Sequence, residues 1–326
     1  MEPYINIIIL NWNGFEMTRD CLNSLAQINY KNYKIILIDN GSHDGSVDKL
    51  KSQFTGSCLD IIALDINLGF TGGNNIGIEY CQNKYNPDYY LLLNNDTVVD
   101  KFFLKEMVDA FSIIPNCYAV VPKIYYYGDK SLIAYAGGHT YRLTGLVKQY
   151  GIKERDAAKY NSSRKITFMN GCCALLSKEA IKQLGVLDDR FFAYSEDTDY
   201  SIRILNSNHS ILYAPKAIIY HKIGYSSELN KGKWFAFYLA TRNIIFLQKK
   251  HLSKLLIPLF AIAFGVRWVL YLTIKLSLLR DFKSVKAIYQ GITDGIMNRS
   301  RFYTIQAPTK QKVWLSNESL SSENAI

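Results

Sequence analysis

Residues 89–97 read Tyr-Tyr-Leu-Leu-Leu-Asn-Asn-Asp-Thr, an apolar run of strand length that ends in three small polar residues. A continuous apolar run is the pattern of a strand buried on both faces of a parallel sheet. In open α/β sheets ligands bind beyond the carboxyl ends of such strands. That rule puts Asn94, Asn95 and Asp96 at the edge of a site. Asp96 offers a hard oxygen to Mg2+ or Mn2+, and either cation would hold a diphosphate. Taken alone, the same three residues also suit an ordinary turn.

Four other segments carry residues of similar promise. Asp39-Asn40-Gly41-Ser42-His43-Asp44-Gly45-Ser46 follows a second apolar run. Asn-Gly and Asp-Gly punctuate turns, and Ser46 can cap a following helix. Capping needs only one of these residues, and Asp39 could accept a hydrogen bond from the ring N–H of a pyrimidine base. Asn67-Leu68-Gly69-Phe70-Thr71-Gly72-Gly73-Asn74-Asn75 follows a third run. Its glycines permit close approach to a ligand, and a helix N-terminus after them favours phosphate. It matches neither the G-x-G-x-x-G dinucleotide fingerprint nor the P-loop. Residues 185–203 read GVLDDRFFAYSEDTDYSIR. Acids at the helix start there suit the helix dipole. Behind the aromatic segment Phe191–Tyr194, a carboxylate can also act as a general base. Arg203 lies four residues after Asp199, an ordinary i,i+4 pair. His221, after the strand-like 217–220, is either structural or a metal ligand.

The elements that must position these residues alternate. Apolar strands are read at Ile5–Leu10, Lys34–Ile38, Leu59–Leu64 and Tyr89–Leu93. Helices are read at Phe15–Ala26, with Cys21, Leu22 and Leu25 inward, at Ser46–Phe54 and at Gly72–Gln82. Such alternation argues for a parallel sheet flanked by helices. Three strands end in Asn11, Asp39 and Asn94, which would converge on one cleft. From Lys123 to Phe168 the pattern loosens into strands and loops. Ser177–Leu184, Asp197–Asn206 and Trp234–Lys250 read as helices, the last with Phe235, Tyr238, Leu239, Ile245 and Phe246 available for burial.

With 326 residues, 48% apolar and 20% charged, the chain has the composition of an ordinary globular protein. Its net charge of +10 is uneven: from Lys249 onward twelve Lys or Arg face four Asp or Glu, a net of +8. The preceding 248 residues hold 26 and 24, a net of +2, too little for a nucleic-acid footprint. The six cysteines form no CxxC pair and no finger-like set with histidine, so no zinc site is read. No signal peptide is read ahead of the first strand, and the cytoplasm, with reduced thiols, is expected. Leu255–Val266 lacks charge but is interrupted by Pro258; its twelve residues would rise about 18 Å, short of a bilayer core of about 30 Å, and a true span would have to accommodate Arg267 or end at it. Arg267, Tyr271 and Lys275 recur every four residues beyond it. An apolar helix with a basic stripe lies in a membrane interface; a buried core helix is the bland alternative.

Taken together, Ile-Ile-Leu-Asn-Trp-Asn, Ile-Asp-Asn-Gly-Ser-x-Asp-Gly-Ser, Asn-x-Gly-Phe-Thr-Gly-Gly-Asn-Asn, Leu-Leu-Asn-Asn-Asp and Phe-Phe-Ala-Tyr-Ser-Glu-Asp-x-Asp resemble glycosyltransferase family 2. Within the family the chain is most similar to bacterial rhamnosyltransferase-like enzymes. The resemblance implies a GT-A fold, an α/β architecture with a mostly parallel central sheet, and an inverting, metal-dependent transfer from a nucleotide sugar. Trp12 and Asp39 match base-binding positions, and Asn67 and Gly73 lie in the donor loop. The donor-binding set implied is Asn11, Trp12, Asn13, Asp39, Asn67, Gly69, Gly73, Asn74, Asn94, Asn95 and Asp96. Asp96 matches the last acid of a DxD-type metal motif, with Asn94 in place of the first, and His221 resembles a late metal-binding histidine. Asp197 matches the base of a Glu-Asp pair, with Glu196 beside it.

The implied partners are Mg2+ or Mn2+, a dTDP- or UDP-sugar and a lipid-linked glycan acceptor. An anionic membrane surface is also implied, an oligomer is left open, and nucleic acid is not among them. L-Rhamnose from dTDP-rhamnose is the donor expected. The layout expected is a GT-A domain over 1–250, a helical, basic, membrane-interfacial region over 251–315 and a disordered tail over 316–326. The enzyme is expected on the inner face of a bacterial cytoplasmic membrane, building surface polysaccharide or cell wall. A Rossmann-type oxidoreductase and a non-catalytic glycan-binding protein are the alternatives. The missing glycine fingerprint weighs against the first, and the acids Asp96 and Asp197 weigh against the second.

Overall fold

The computed structural model describes residues 2–54, 56, 58–223 and 232–300, together with the backbone of 311–315. The expected tail over 316–326 lies outside the described residues. Strands β1 (Ile5–Asn11), β2 (Tyr33–Asp39), β3 (Leu59–Leu64) and β4 (Tyr89–Asn94) run parallel in the order β3-β2-β1-β4. Helices α1 (Phe15–Leu25), α2 (Ser46–Gln53) and α3 (Gly69–Lys84) connect them. The register pairs Asn11 with Asp39 and Leu10 with Asn94, so the three polar strand ends arrive side by side. Cys21, Leu22 and Leu25 of α1 are buried, as their helical spacing requires.

The chain then builds β5 (Thr97–Val99), α4 (Phe103–Ala110), β6 (Cys117–Tyr126), β7 (Asp129–Tyr135), β8 (Gly138–Tyr141), β9 (Leu146–Gln149), β10 (Glu154–Arg155), β11 (Arg164–Ile166) and β12 (Cys173–Ser177). Helices α5 (Lys178–Leu184) and α6 (Glu196–Asn206), strand β13 (Ser210–His221) and helix α7 (Lys233–His251) follow. Strand β12 enters antiparallel between β4 and β6, and β13 lies parallel to β6. The short β5 pairs with the end of β13, which sets His221 opposite Thr97 and beside Asp96. The result is an α/β fold around a mostly parallel central sheet.

Two local readings are corrected. Ser46 does not cap α2: Gly45, at φ +75°, takes the N-cap position, and Asp44 Oδ1 accepts from the Ser46 N–H at 3.0 Å. The glycine-rich segment does not precede its helix but forms it, since α3 begins at Gly69. A Cβ on Gly73 would stand 2.8 Å from Leu10, and one on Gly77 2.5 Å from Ile8. These two glycines bring α3 down onto the sheet.

Beyond α7 the expected interruption is absent. Helices α8 (Ile257–Phe264) and α9 (Tyr271–Leu278), joined through a wider turn at Gly265–Leu270, form one helix, Lys254–Leu278. Pro258 falls in the first turn of α8, just after the tighter turn Lys254–Leu256, where no amide partner is needed. At 25 residues and about 1.5 Å per residue the helix reaches the length of a bilayer core, and few of its side chains are fully buried. Helix α10 (Phe282–Met297) returns along α7 on a seam of Ala287, Gly291 and Gly295; a Cβ on Gly291 would meet the Tyr238 carbonyl at 2.7 Å. Strand β14 (Gln311–Leu315) pairs antiparallel with β3, so the region after 250 is not helical throughout.

Candidate active site

A cleft of about 1080 Å³ opens beyond the carboxyl ends of β1 and β4. Trp12, Asn13, Asn67, Gly69, Asn94, Asn95, Glu196, Asp197 and His221 all line it. Residues from both halves of the chain therefore meet there. Asn11, Asp39, Gly73, Asn74 and Asp96 stand behind the wall rather than on it.

A polar chain explains the position of Asn11 and Asp39. Asn95 Nδ2 donates to Thr18 Oγ1 at 2.8 Å, whose hydroxyl donates to Asn11 Oδ1 at 2.8 Å. Asn11 Nδ2 then donates to Asp39 Oδ2 at 2.6 Å, and the other Asp39 oxygen accepts from the Ser42 N–H at 2.9 Å. Asp39 is only 2% exposed. In this state its carboxylate locks the loops after β1 and β2 together. Asn13 belongs to the same lock: its N–H donates to Ser42 Oγ and its side chain accepts from the His43 N–H, both at 2.8 Å. Asn40, not singled out in the sequence, ties the loop to α3 by donating to Asn67 Oδ1 and the Gly69 carbonyl. Asn74 is buried and donates to the Phe70 carbonyl within its own helix.

The metal-binding candidates meet at the other side of the strand ends. His221 Nε2 lies 3.0 Å from Asp96 Oδ1. Burial opposes charge on His221, but Cys172 and the Asp96 carboxylate outweigh it and hold the imidazole up at about 11. Among the described residues no three His, Cys, Asp or Glu side chains gather to hold a metal unaided. A hard carboxylate fits Mg2+ or Mn2+ where a diphosphate completes the shell, and the borderline imidazole would join it once the cation displaces its proton.

The Glu-Asp pair begins α6. Asp197 Oδ2 accepts from the Gly171 N–H at 3.3 Å and Oδ1 from the Thr198 N–H at 2.7 Å. Burial raises the Asp197 carboxyl to about 6 against these bonds. Burial, then the charge of Asp197, pushes Glu196 well above the usual range, and its Oε2 has no hydrogen-bond partner among the described residues. Asp197 is therefore the member that ionises near neutral pH. Asp199 faces away, into a buried cluster with Arg203 (2.9 Å), Lys250 (2.8 Å) and His251 (2.7 Å). Only the first of those partners was legible as a helical pair.

Helix α7 adds Phe235, Ala236 and Leu239 to the cleft wall, next to Phe192 and Tyr194. The aromatic wall expected from 191–194 is thus half of a larger apolar face. Its other half comes from a helix whose sequence carries only a burial pattern.

A family model described as "Glycosyl transferase family 2" matches residues 6–185. The chain belongs to that family. It is 23% identical over 207 residues to a low-salt glycan biosynthesis hexosyltransferase, Agl10, of Haloferax volcanii, covering 64% of this chain and 63% of that one. It is 24% identical to an N-acetylglucosaminyl-diphospho-decaprenol L-rhamnosyltransferase of Mycobacterium tuberculosis, covering 77% and 86%. To the dTDP-rhamnosyl transferase RfbF of Shigella flexneri it is 23% identical, covering 82% and 87%. The match spans less than two thirds of the Haloferax protein and 48% of a staphylococcal poly-β-1,6-N-acetyl-D-glucosamine synthase. Among solved structures, a mannosyltransferase of Pyrobaculum calidifontis in complex with GDP-Man and Mn2+ superposes with a TM-score of 0.57 at 11% identity, covering 92% of this chain and 89% of that one. GalNAc-T7 with UDP, GalNAc and Mn2+ superposes with a TM-score of 0.60 at 16% identity, covering 76% and 48%. The fold is of the GT-A type that these glycosyltransferases share.

Proposed function

We propose that this glycosyltransferase moves a sugar from a nucleotide donor to a hydroxyl of a lipid-linked glycan with inversion at the anomeric carbon. One observation carries the reading. The same cleft presents the strand-end residues Asn94 and Asn95, the His221 imidazole and a carboxyl, Asp197, that ionises near pH 6.

Asp197 takes the proton of the acceptor hydroxyl as that oxygen attacks the anomeric carbon. The new C–O bond forms as the bond to the diphosphate breaks, and the nucleoside diphosphate leaves on the opposite face. Asp96 and His221 would hold Mg2+ or Mn2+, which when bound supplies positive charge against the departing diphosphate. Trp12 and the loop of Asn13, locked through Ser42, give the nucleoside a floor, and Phe192, Phe235 and Leu239 exclude water on the acceptor side. L-Rhamnose from dTDP-rhamnose is the donor proposed, supported by the mycobacterial and Shigella relatives.

The enzyme is further proposed to work peripherally on the inner face of a bacterial cytoplasmic membrane, as a catalytic domain over 1–250 carried by the segment after it. One side of the Lys254–Leu278 helix packs on the protein through Phe260 and Leu276, and Trp268 donates to Thr241 Oγ1 at 3.0 Å. The other side leaves Leu259, Ile262, Val266, Leu270 and Ile274 exposed. A helix held sideways on a domain with an apolar outer stripe suits an interface.

The test is a panel of dTDP-, UDP- and GDP-sugars, with NAD as control, titrated with and without Mn2+. Metal-dependent binding of one sugar nucleotide, followed by transfer, is expected. NAD binding without any response to sugar nucleotides would overturn the reading.

A further inference from the structure

The turn that delivers Asp197 is strained. Phe192 has φ +64° and ψ −61°, and the Ala193 N–H donates to the Phe191 carbonyl at 2.8 Å. This is a γ-turn of the rare positive-φ kind. Tyr194 and Ser195 follow at φ +68° and +70°. Three non-glycine departures within four residues persist only where the surroundings impose them.

Two neighbouring residues of α7 supply that imposition. Arg242 is fully buried, and burial lowers its guanidinium to about 10, so it stays charged at neutral pH. It donates to the carbonyls of Arg190 at 2.7 Å and Phe191 at 3.0 Å, and to Asn243 Oδ1 at 2.6 Å. With its oxygen so fixed, Asn243 turns Nδ2 to the carbonyls of Phe191 (3.0 Å), Ala193 (2.8 Å) and Tyr194 (2.6 Å). On the far side the Phe192 carbonyl accepts from the Thr71 N–H at 3.1 Å, and the Phe192 ring sits where a Cβ on Gly69 would be. The turn is thus gripped between α7 and the N-terminus of α3.

We propose that Arg242 and Asn243 are positioning residues: they hold the strained 191–195 turn, and the turn fixes Asp197 in the cleft. Neither residue lines the cleft. Released from this grip, the backbone would relax towards negative φ and swing the start of α6. A misplacement of about 1 Å at a reacting group costs roughly 10²-fold in rate. This inference rests on the reading of Asp197 as the base.

The test compares full-length Asn243→Ala with Asn243→Ala/Ser195→Gly, because glycine adopts the left-handed conformation at residue 195 without strain. Three quantities are read: amide hydrogen exchange over 192–198, affinity for UDP and dTDP with Mn2+, and kcat with the donor identified in the panel. In Asn243→Ala, exchange over 192–198 should rise and kcat fall roughly 10- to 100-fold, with nucleotide affinity within about twofold. The second substitution should restore part of kcat. Unchanged exchange and kcat would overturn the proposal. A parallel loss of nucleotide affinity and kcat that Ser195→Gly does not relieve would overturn it as well. If Asn243→Ala does not fold, Asn243→Ser, which keeps one donor in place, carries the same comparison. Hydrogen exchange needs no substrate, so it judges the clamp apart from the base; failure of the base assignment shows separately, as full activity in Asp197→Asn.

Discussion

His221 Nε2 lies 3.0 Å from Asp96 Oδ1, although one residue ends β13 and the other follows β4. The antiparallel pairing of β5 with β13 creates this contact by setting His221 opposite Thr97. A two-residue donor set leaves the remaining positions of a divalent cation to the donor's diphosphate and water. Asp96→Ala should therefore abolish the Mn2+ dependence of UDP or dTDP binding. His221→Ala should weaken that binding by at least the roughly 10- to 100-fold that loss of an outer-shell partner already costs. Calorimetric titration with and without chelator measures both; metal-dependent binding at full strength in Asp96→Ala would remove the assignment.

Asp197, raised to about 6 by burial, makes the pH dependence specific. The base must be ionised, so kcat should climb with pH through about 6 and level above it. Asp197→Asn should remove that limb and lower kcat by roughly 10²- to 10⁴-fold. Stability runs the other way. The folded pKa lies above the unfolded one, so the native state holds the proton more tightly, and stability present below the unfolded pKa is lost as pH rises through about 6. Asp197→Asn should then melt no lower than the parent at pH 7.5. Should Glu196→Gln be the inactive variant instead, the two acids exchange roles.

Gly77 tests whether the glycines of α3 serve packing. An alanine there gains about 1 kcal/mol of helix propensity over glycine. Its methyl would stand 2.5 Å from Ile8 Cγ2, in the buried centre of β1, and overpacking of that kind costs about 1–3 kcal/mol. Gly77→Ala should lower the melting temperature, while Gly128→Ala, with open space around its Cβ position, should not. Equal melting of the two would mean that α3 shifts freely on the sheet.

The alternation of elements was legible because each apolar run has a period and each break has a turn residue. The strand ends at Asn11, Asp39 and Asn94 stood out for the same reason. What glycine does was not legible: the same residue serves a loop near a ligand and a helix pressed on a sheet, and only Leu10 and Ile8 across the gap decide. Nor could the sequence link Asn243 to Tyr194, since a carbonyl held by a distant amide leaves no local pattern. The C-terminal helix was misread as interrupted because Pro258 and Arg267 look disruptive in a list of residues. In three dimensions the first occupies the opening turn and the second is exposed beside the apolar stripe.

That stripe leads to the last expectation. Ile262 is 67% and Val266 61% exposed, so glutamate at either position breaks no internal packing. Ile262→Glu and Val266→Glu should leave the melting temperature unchanged and reduce flotation with anionic liposomes. Arg267→Glu with Lys275→Glu should reduce it in part, since each basic residue near such a surface contributes about 1 kcal/mol, and salt should weaken what remains. Deleting everything after Lys250 is a poorer probe, because it also strips α10 from α7 and β14 from β3. Peripheral attachment further requires release by alkaline carbonate. Retention in the carbonate-washed membrane would mean that the helix spans the bilayer, and full-length protein that ignores anionic liposomes would assign the stripe to a second copy of the chain.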